Sequence, residues 1–222
     1  MAIIALISVQ AEASVVATWN FDSGTQNGTA YSGQANYTAN TYVLADFSSA
    51  TLNATANTGA SQVAAAGNGS GIALGFTTPS TSTPKTVTGS TFVLTLKAST
   101  AINITSIGFN YLSTSSSATT VNWAYTISGG GTGSASDTLT RSGAWQSASA
   151  FAGISLSSGQ TITFTATLAG AGNGHSEDTR FDNITINAAS LVPEPVNLAL
   201  GAFGILAVGL GLGRRIYTKT QI

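Results

Sequence analysis

The sequence predicts an all-β protein, an antiparallel β-sandwich, followed by a single C-terminal transmembrane helix. Three observations predict it. Between residues 14 and 189 apolar side chains recur at every second position, as in Ile162, Phe164, Ala166 and Leu168, the period of a strand with one buried face. Threonine fills the alternate positions of that run, Thr161, Thr163, Thr165 and Thr167, and its β-branched side chain suits a pleated, solvated surface. The end of the chain then changes character: the 18 residues from Val196 to Gly213 are uncharged and largely apolar, and Arg214-Arg215 follow at once.

Composition bounds the rest. A chain of 222 residues suits one domain plus sorting segments. Charged residues make up only 7%, against roughly 25% in an average soluble domain. Ser and Thr together number 61 and Gly adds 25, so the polar surface is hydroxyl and amide rather than charge. The net charge of −1 supplies no electrostatic footprint for nucleic acid. With no cysteine, disulfides, thiolate metal sites and cysteine nucleophiles are all excluded. A hydrophobic fraction of 43% is enough for a folded core.

In chain order, Met1 to Val9 form a short apolar run, and Ala11-Glu12-Ala13 follows. This is the pattern of a secretory signal peptide cleaved after Ala13. No basic residue precedes the run, as expected of a start codon assigned too late or of a fragment; a buried first strand is the other reading. Residues 14–189 form the exported domain. Strands are expected at 15–21, 41–47, 71–77, 91–96, 101–112, 121–127, 151–156, 161–168 and 180–187. Within 101–112 the buried phase switches from Ile102 and Ile104 to Ile107, Phe109 and Tyr111, which places a bulge near Thr105-Ser106. Residues 53–70 and 78–90, rich in small, hydroxyl and proline residues, read as loops. Gly129-Gly130-Gly131-Thr132-Gly133 reads as a hairpin turn; no lysine or helix follows, which argues against a phosphate cradle. Eight or nine such strands make a sandwich, with a jelly roll the favoured version.

The tail, 190–222, has three parts in fixed order. Val192-Pro193-Glu194-Pro195 comes first, the apolar stretch 196–213 second, and the basic segment 214–222 with Arg214, Arg215 and Lys219 third. As a helix, 18 residues reach about 27 Å at ~1.5 Å per residue, close to a ~30 Å hydrocarbon core. The basic residues lie on the C-terminal side, which leaves that side in the cytoplasm and the domain outside. Pro193 and Pro195 keep helix from running back into the domain. This arrangement, over Val192 to Arg215, resembles the PEP-CTERM sorting signal. The resemblance implies an exosortase and the membrane as partners, removal or exchange of the tail, and delivery to the cell envelope or exopolysaccharide matrix. A single-span membrane protein that is never processed is the alternative.

Chemistry is sparse. Five of the eleven titratable groups of the exported domain fall in the eight residues from His175 to Asp182. One reading is structural: Arg180 and Asp182 share a strand face and pair with each other or with a neighbour. A second is catalytic, an extracellular glycan hydrolase using Glu177 and Asp178 with Asp22 or Asp137, but adjacent acids are poorly placed to flank a glycosidic bond. His175 has no G-x-S-x-G elbow to serve. The expectation is that the domain has no catalytic residues. A third reading follows from resemblance: Trp19-Asn20-Phe21-Asp22 near the start and Arg180-Phe181-Asp182-Asn183-Ile184 near the end look like the first and last strands of jelly-roll carbohydrate-binding modules. That likeness implies a structural calcium held in part by Asp22 and Asp182, and such an ion takes six to eight hard oxygens. The Arg-Phe-Asp-Asn-Ile run also looks like the closing strand of PEP-CTERM ectodomains. Trp123 alternates with core residues, whereas Trp145, in Ser142-Gly143-Ala144-Trp145-Gln146, is the candidate for an exposed sugar-stacking platform. The sequence therefore predicts an exported structural or adhesive protein, with exopolysaccharide as a candidate partner.

Overall fold

The computed structural model describes residues 13–21, 35–38, 41–42, 46–69, 71–78, 86–170 and 177–190. The rest of the expected signal segment and everything from Leu191 onward, including the expected membrane helix, lie outside the described residues. Every described element is a strand, and every pairing is antiparallel. In order they are β1 (Ser14–Trp19), β2 (Ala35–Thr38), β3 (Thr41–Tyr42), β4 (Phe47–Thr55), β5 (Ser61–Ala66), β6 (Ile72–Thr77) and β7 (Thr91–Ala98). Then follow β8 (Ile102–Ser113), β9 (Thr120–Ile127), β10 (Thr132–Thr138), β11 (Gln146–Ala150), β12 (Ile154–Leu156), β13 (Thr161–Ala169) and β14 (Asp178–Ser190).

Two sheets result. The six-stranded sheet runs β10-β9-β13-β7-β4-β2. The eight-stranded sheet runs β11-β8-β14-β1-β3, with β12 also on β8 and the β5–β6 pair joined to β14 through β6. Their inner faces meet in one core. Phe181 of β14 and Phe92 of β7 come from opposite sheets, and their ring centroids are 4.9 Å apart. Phe109 of β8 meets Trp123 of β9 at 5.5 Å, and Phe92 sits edge-on to the same indole at 5.3 Å. The tilted and edge-to-face geometries suit the ring quadrupoles. The alternation read from sequence is seen directly in β13, where Ile162, Phe164, Ala166 and Leu168 are buried and the threonines between them are not.

Three irregularities shape the larger sheet along β8 and β14. Against β14, Asn187 pairs with Ser106 and Ala188 with Ile104, so Thr105 is the extra residue of a bulge. That single insertion is why the buried phase of β8 changes where the sequence changes phase. On β14 a second bulge falls between Asp182 and Thr185, where Asn183 takes φ 47°, a conformation asparagine tolerates better than most residues. The bulge coincides with a change of neighbour: β14 pairs with β6 through Asp178–Phe181 and with β1 through Ile184–Ala188. The third separates β11 from β12. Both lie on β8, and Phe151 at φ 59° breaks the run between them.

Several expectations need correction. Residues 53–70 are not a loop: they hold the end of β4 and all of β5. Small residues there hid the strand because Ala and Ser carry little periodic signal. The single strand expected at 41–47 divides between β3 and β4, which belong to different sheets. β10 and β11, Thr-Gly-Ser-Ala-Ser-Asp-Thr and Gln-Ser-Ala-Ser-Ala, were unmarked for the same reason. They are sheet-edge strands and need fewer large apolar residues. The count therefore exceeds the eight or nine strands expected. The Gly129–Gly131 turn is as expected: it joins β9 to β10 with φ of 87°, 120° and 100°, values open to glycine at little cost, and Ile127 N donates to Gly131 O at 2.9 Å.

Candidate functional site

The acidic segment at the start of β14 is the chemical anomaly of the sequence, and the structure sends its side chains in different directions. Glu177 and Asp178 are consecutive, so the strand pleat points them to opposite faces. Glu177 is 1% exposed. Its Oε2 accepts from the buried backbone N–H of Val87 at 2.6 Å. Its own backbone closes on Thr78: Glu177 N donates to Thr78 Oγ1 at 2.9 Å, and Thr78 N donates to Glu177 O at 3.0 Å. Asp178, on the outer face, is gripped by Arg180, whose Nε lies 3.0 and 2.9 Å from the two carboxylate oxygens. Arg180 Nη1 reaches on to Ala66 O at 3.3 Å, tying β14 to the end of β5. The i, i+2 pair anticipated on one face is thus Arg180 with Asp178 rather than with Asp182. His175 lies outside the described residues.

Asp182 faces the same side as Asp178 and Arg180, yet it is 3% exposed. The loop after β5 covers it. Asn68 N donates to Oδ2 at 2.8 Å, and Asn183 N donates to Oδ1 at 2.7 Å. Gly67 makes the close cover feasible: a Cβ there would stand 3.0 Å from Oδ2. Asp182 therefore sits where β6 ends its pairing with β14 and β1 takes over. Asp22, its expected partner, lies outside the described residues, one residue past Phe21. Among the described residues no group of three or more His, Cys, Asp or Glu side chains forms a metal cluster. Val192, Pro193, Glu194, Pro195, Arg214 and Arg215 also lie outside the described residues.

The tryptophans divide as follows. Trp19 and Trp123 are buried in the core. Trp145, the candidate sugar-stacking platform, lies in the coil before β11 and is half-buried. Asp137, which the sequence offered only as a partner acid for catalysis, lies on the inner side of edge strand β10, diagonal to Trp123 across the β9–β10 ladder. Burial raises its carboxyl above the usual aspartate range, and the nearby Trp123 indole N–H offsets part of that rise. Neither Oδ2 nor the indole Nε1 has an in-line hydrogen-bond partner among the described residues. An inward acid on an edge strand obstructs edge-to-edge pairing with another sheet. The same placement sets a pH dependence. The folded protein keeps this proton to higher pH than the unfolded chain, so the ionised form costs stability. Full stability at this site holds below the ordinary aspartate range and is lost as pH rises through the raised folded value. Asp137→Asn should therefore stabilise at neutral pH, by less than ~1 kcal/mol after solvent screening at the edge. Urea midpoints should show the gain at about pH 7 and not at about pH 3.

No known protein-family model matches the chain, and no curated protein matches it in sequence. Solved structures resemble it in architecture. The module TmCBM61, solved with β-1,4-galactotriose, is 16% identical with a TM-score of 0.39, covering 64% of this chain and 90% of its own. The K3 cleaved adhesin domain of Lys-gingipain from Porphyromonas gingivalis w83 is 10% identical with a TM-score of 0.40, covering 79% of this chain and 99% of its own. A family 35 carbohydrate-binding module from Clostridium thermocellum is 14% identical with a TM-score of 0.32, covering 71% and 98%.

Proposed function

We propose that this is an exported, non-catalytic surface or matrix protein, sorted by an exosortase through its PEP-CTERM tail, with a structural or adhesive role against exopolysaccharide. In this reading residues 1–13 are the signal peptide, 14–189 a jelly-roll ectodomain, and 190–222 the sorting signal. The protein spans the inner membrane transiently with its C-terminus in the cytoplasm. The observation that carries the reading is the order of parts at the end of the sequence: Val192-Pro193-Glu194-Pro195, 18 uncharged residues, then Arg214-Arg215. The test is mass spectrometry of the exported form from a host with an exosortase. A mature C-terminus lacking Arg214 and Arg215 is expected; an exported chain with that pair intact would overturn the sorting.

The fate of the acids supports a non-catalytic domain. A glycoside hydrolase needs two carboxyl groups facing one bond. Glu177 is sealed beneath Val87, while Asp178 points to the other face and is neutralised by Arg180.

A structural calcium belongs to the same proposal. Asp182 fits the role: it is a hard oxygen donor, buried and held in one orientation by two backbone N–H groups, at a glycine-lined turn. Asp22 and backbone carbonyls would complete the set, and the ion would brace the junction of β1, β6 and β14. Chelation with EDTA is expected to lower the melting temperature of the wild type, by the equivalent of about 2.7 kcal/mol for a site at a hundred times its Kd. Asp182→Asn should melt at the same temperature with and without chelator. A wild type insensitive to EDTA would remove calcium from the account.

A further inference from the structure

Register aligns the threonines of the smaller sheet in a way that sequence spacing alone does not reveal. Thr132 of β10 pairs with Thr126 of β9, and Thr126 with Thr163 of β13. Thr163 pairs with Thr95 of β7, and Thr95 with Thr51 of β4. Thr38 of β2 occupies the next register position. One row of threonines thus crosses the whole sheet. The flanking row toward the Thr167 end of β13 is Ser134, Ala124, Thr165, Val93 and Asn53, and the next is Ser136, Asn122, Thr167, Thr91 and Thr55. In β10, β9, β13, β7 and β4 these positions alternate with the buried core residues, so they lie on the outer face. Among the described residues of those strands, Lys97 is the one charged group on this face.

From this array we infer that the outer face of the β10-β9-β13-β7-β4-β2 sheet is a docking surface for a neutral polysaccharide chain laid across the strands along the threonine row. The inference rests on the matrix role proposed above and names the surface that would perform it. Charge selects the occupant: a face with one cation offers nothing to an anionic polymer or a charged protein, whereas hydroxyls both donate to and accept from sugar hydroxyls. Availability agrees, since the side chains of Thr51, Thr95, Thr126, Thr132 and Thr163 make no hydrogen bond with any described residue. Spacing agrees too. Adjacent strands lie about 4.8 Å apart, so five steps from β10 to β2 give a row of about 24 Å, with a step close to one pyranose unit. Sheet twist decides between a single chain and a crystalline face. Neighbouring strands rotate by roughly 20–25°, which a flexible chain can follow and a flat lattice cannot. The threonine methyls give the apolar faces of the sugar rings something to lie on.

Affinity electrophoresis of the full-length protein tests this, with hydroxyethyl cellulose and dextran as neutral probes and alginate as the anionic one. The wild type should be retarded by a neutral probe, equally at low salt and near 1 M, where the Debye length is ~3 Å. Thr95→Val/Thr126→Val/Thr163→Val keeps shape and strand preference and removes three hydroxyls. It should weaken retardation roughly tenfold or more. Thr126→Arg, at an exposed position, obstructs the row without touching the core and should also weaken it, so the proposal does not depend on the triple variant folding. Wild-type retardation that both variants preserve would overturn this surface and leave the matrix role standing. Retardation by alginate alone, or by no probe, would overturn both. Loss of self-association in the variants without any effect on polysaccharide would show the face to be a contact between copies of this chain, and would also overturn it.

Discussion

Phe181→Ala should lower the unfolding free energy by about 3–5 kcal/mol. The ring is fully buried on β14 and meets Phe92 of the opposite sheet at 4.9 Å. Phe109 stands 6.0 Å away and Phe76 6.4 Å, both from its own sheet. Truncation therefore leaves a void bounded by three rings attached to three different strands, β6, β7 and β8. None can collapse into it without shifting a ladder, so the cavity cost adds in full to the lost transfer energy. Urea denaturation measures the effect. Val15→Ala is the control: Val15 is 53% exposed, and its unfolding free energy should change by no more than about 0.5 kcal/mol.

Glu177→Ala is expected to cost about 3 kcal/mol. The substitution strips the Val87 N–H of its acceptor in a site closed to water, and a buried donor left without a partner costs roughly 1–3 kcal/mol; the emptied volume adds to that. Glu177→Gln restores an acceptor of the same length and should cost about 1 kcal/mol. The pair also discriminates between roles. A structural acid yields graded losses of stability in the order Ala worse than Gln. A catalytic acid would yield complete loss of turnover in both, with the Gln protein as stable as wild type. Melting curves beside a polysaccharide hydrolysis screen separate the two.

What the sequence disclosed, and what it withheld, follows from the size of side chains. Strands bearing large apolar residues were legible: β7, β9 and β13 announce themselves through Leu94, Trp123 and Phe164, and the phase slip in β8 was visible because Ile104 and Ile107 stand three apart. β5, β10 and β11 are built almost wholly of small and polar residues, Ala, Ser, Thr, Gly and Gln, whose contrast between faces is too small to register a period. The site was less legible still. Asp182 could be singled out as an acid near the end of the domain. Its burial depends on Asn68, 114 positions earlier, and no local pattern encodes that encounter. The inward position of Asp137 was hidden with its strand. The threonine rows were half visible: alternation gave the face, but alignment from strand to strand is a property of register.

The last strand of the domain is also its middle one. β14 is held along one side by β8 and along the other by β6 and then β1. A tether that pulled on the residues beyond would draw this strand lengthwise between fixed neighbours. The ladders on both sides would bear that load together, in shear, instead of opening one rung at a time as at a free edge. Forced unfolding is governed by the height of its barrier, so a body anchored through β14 would resist traction best along the axis of β14 itself.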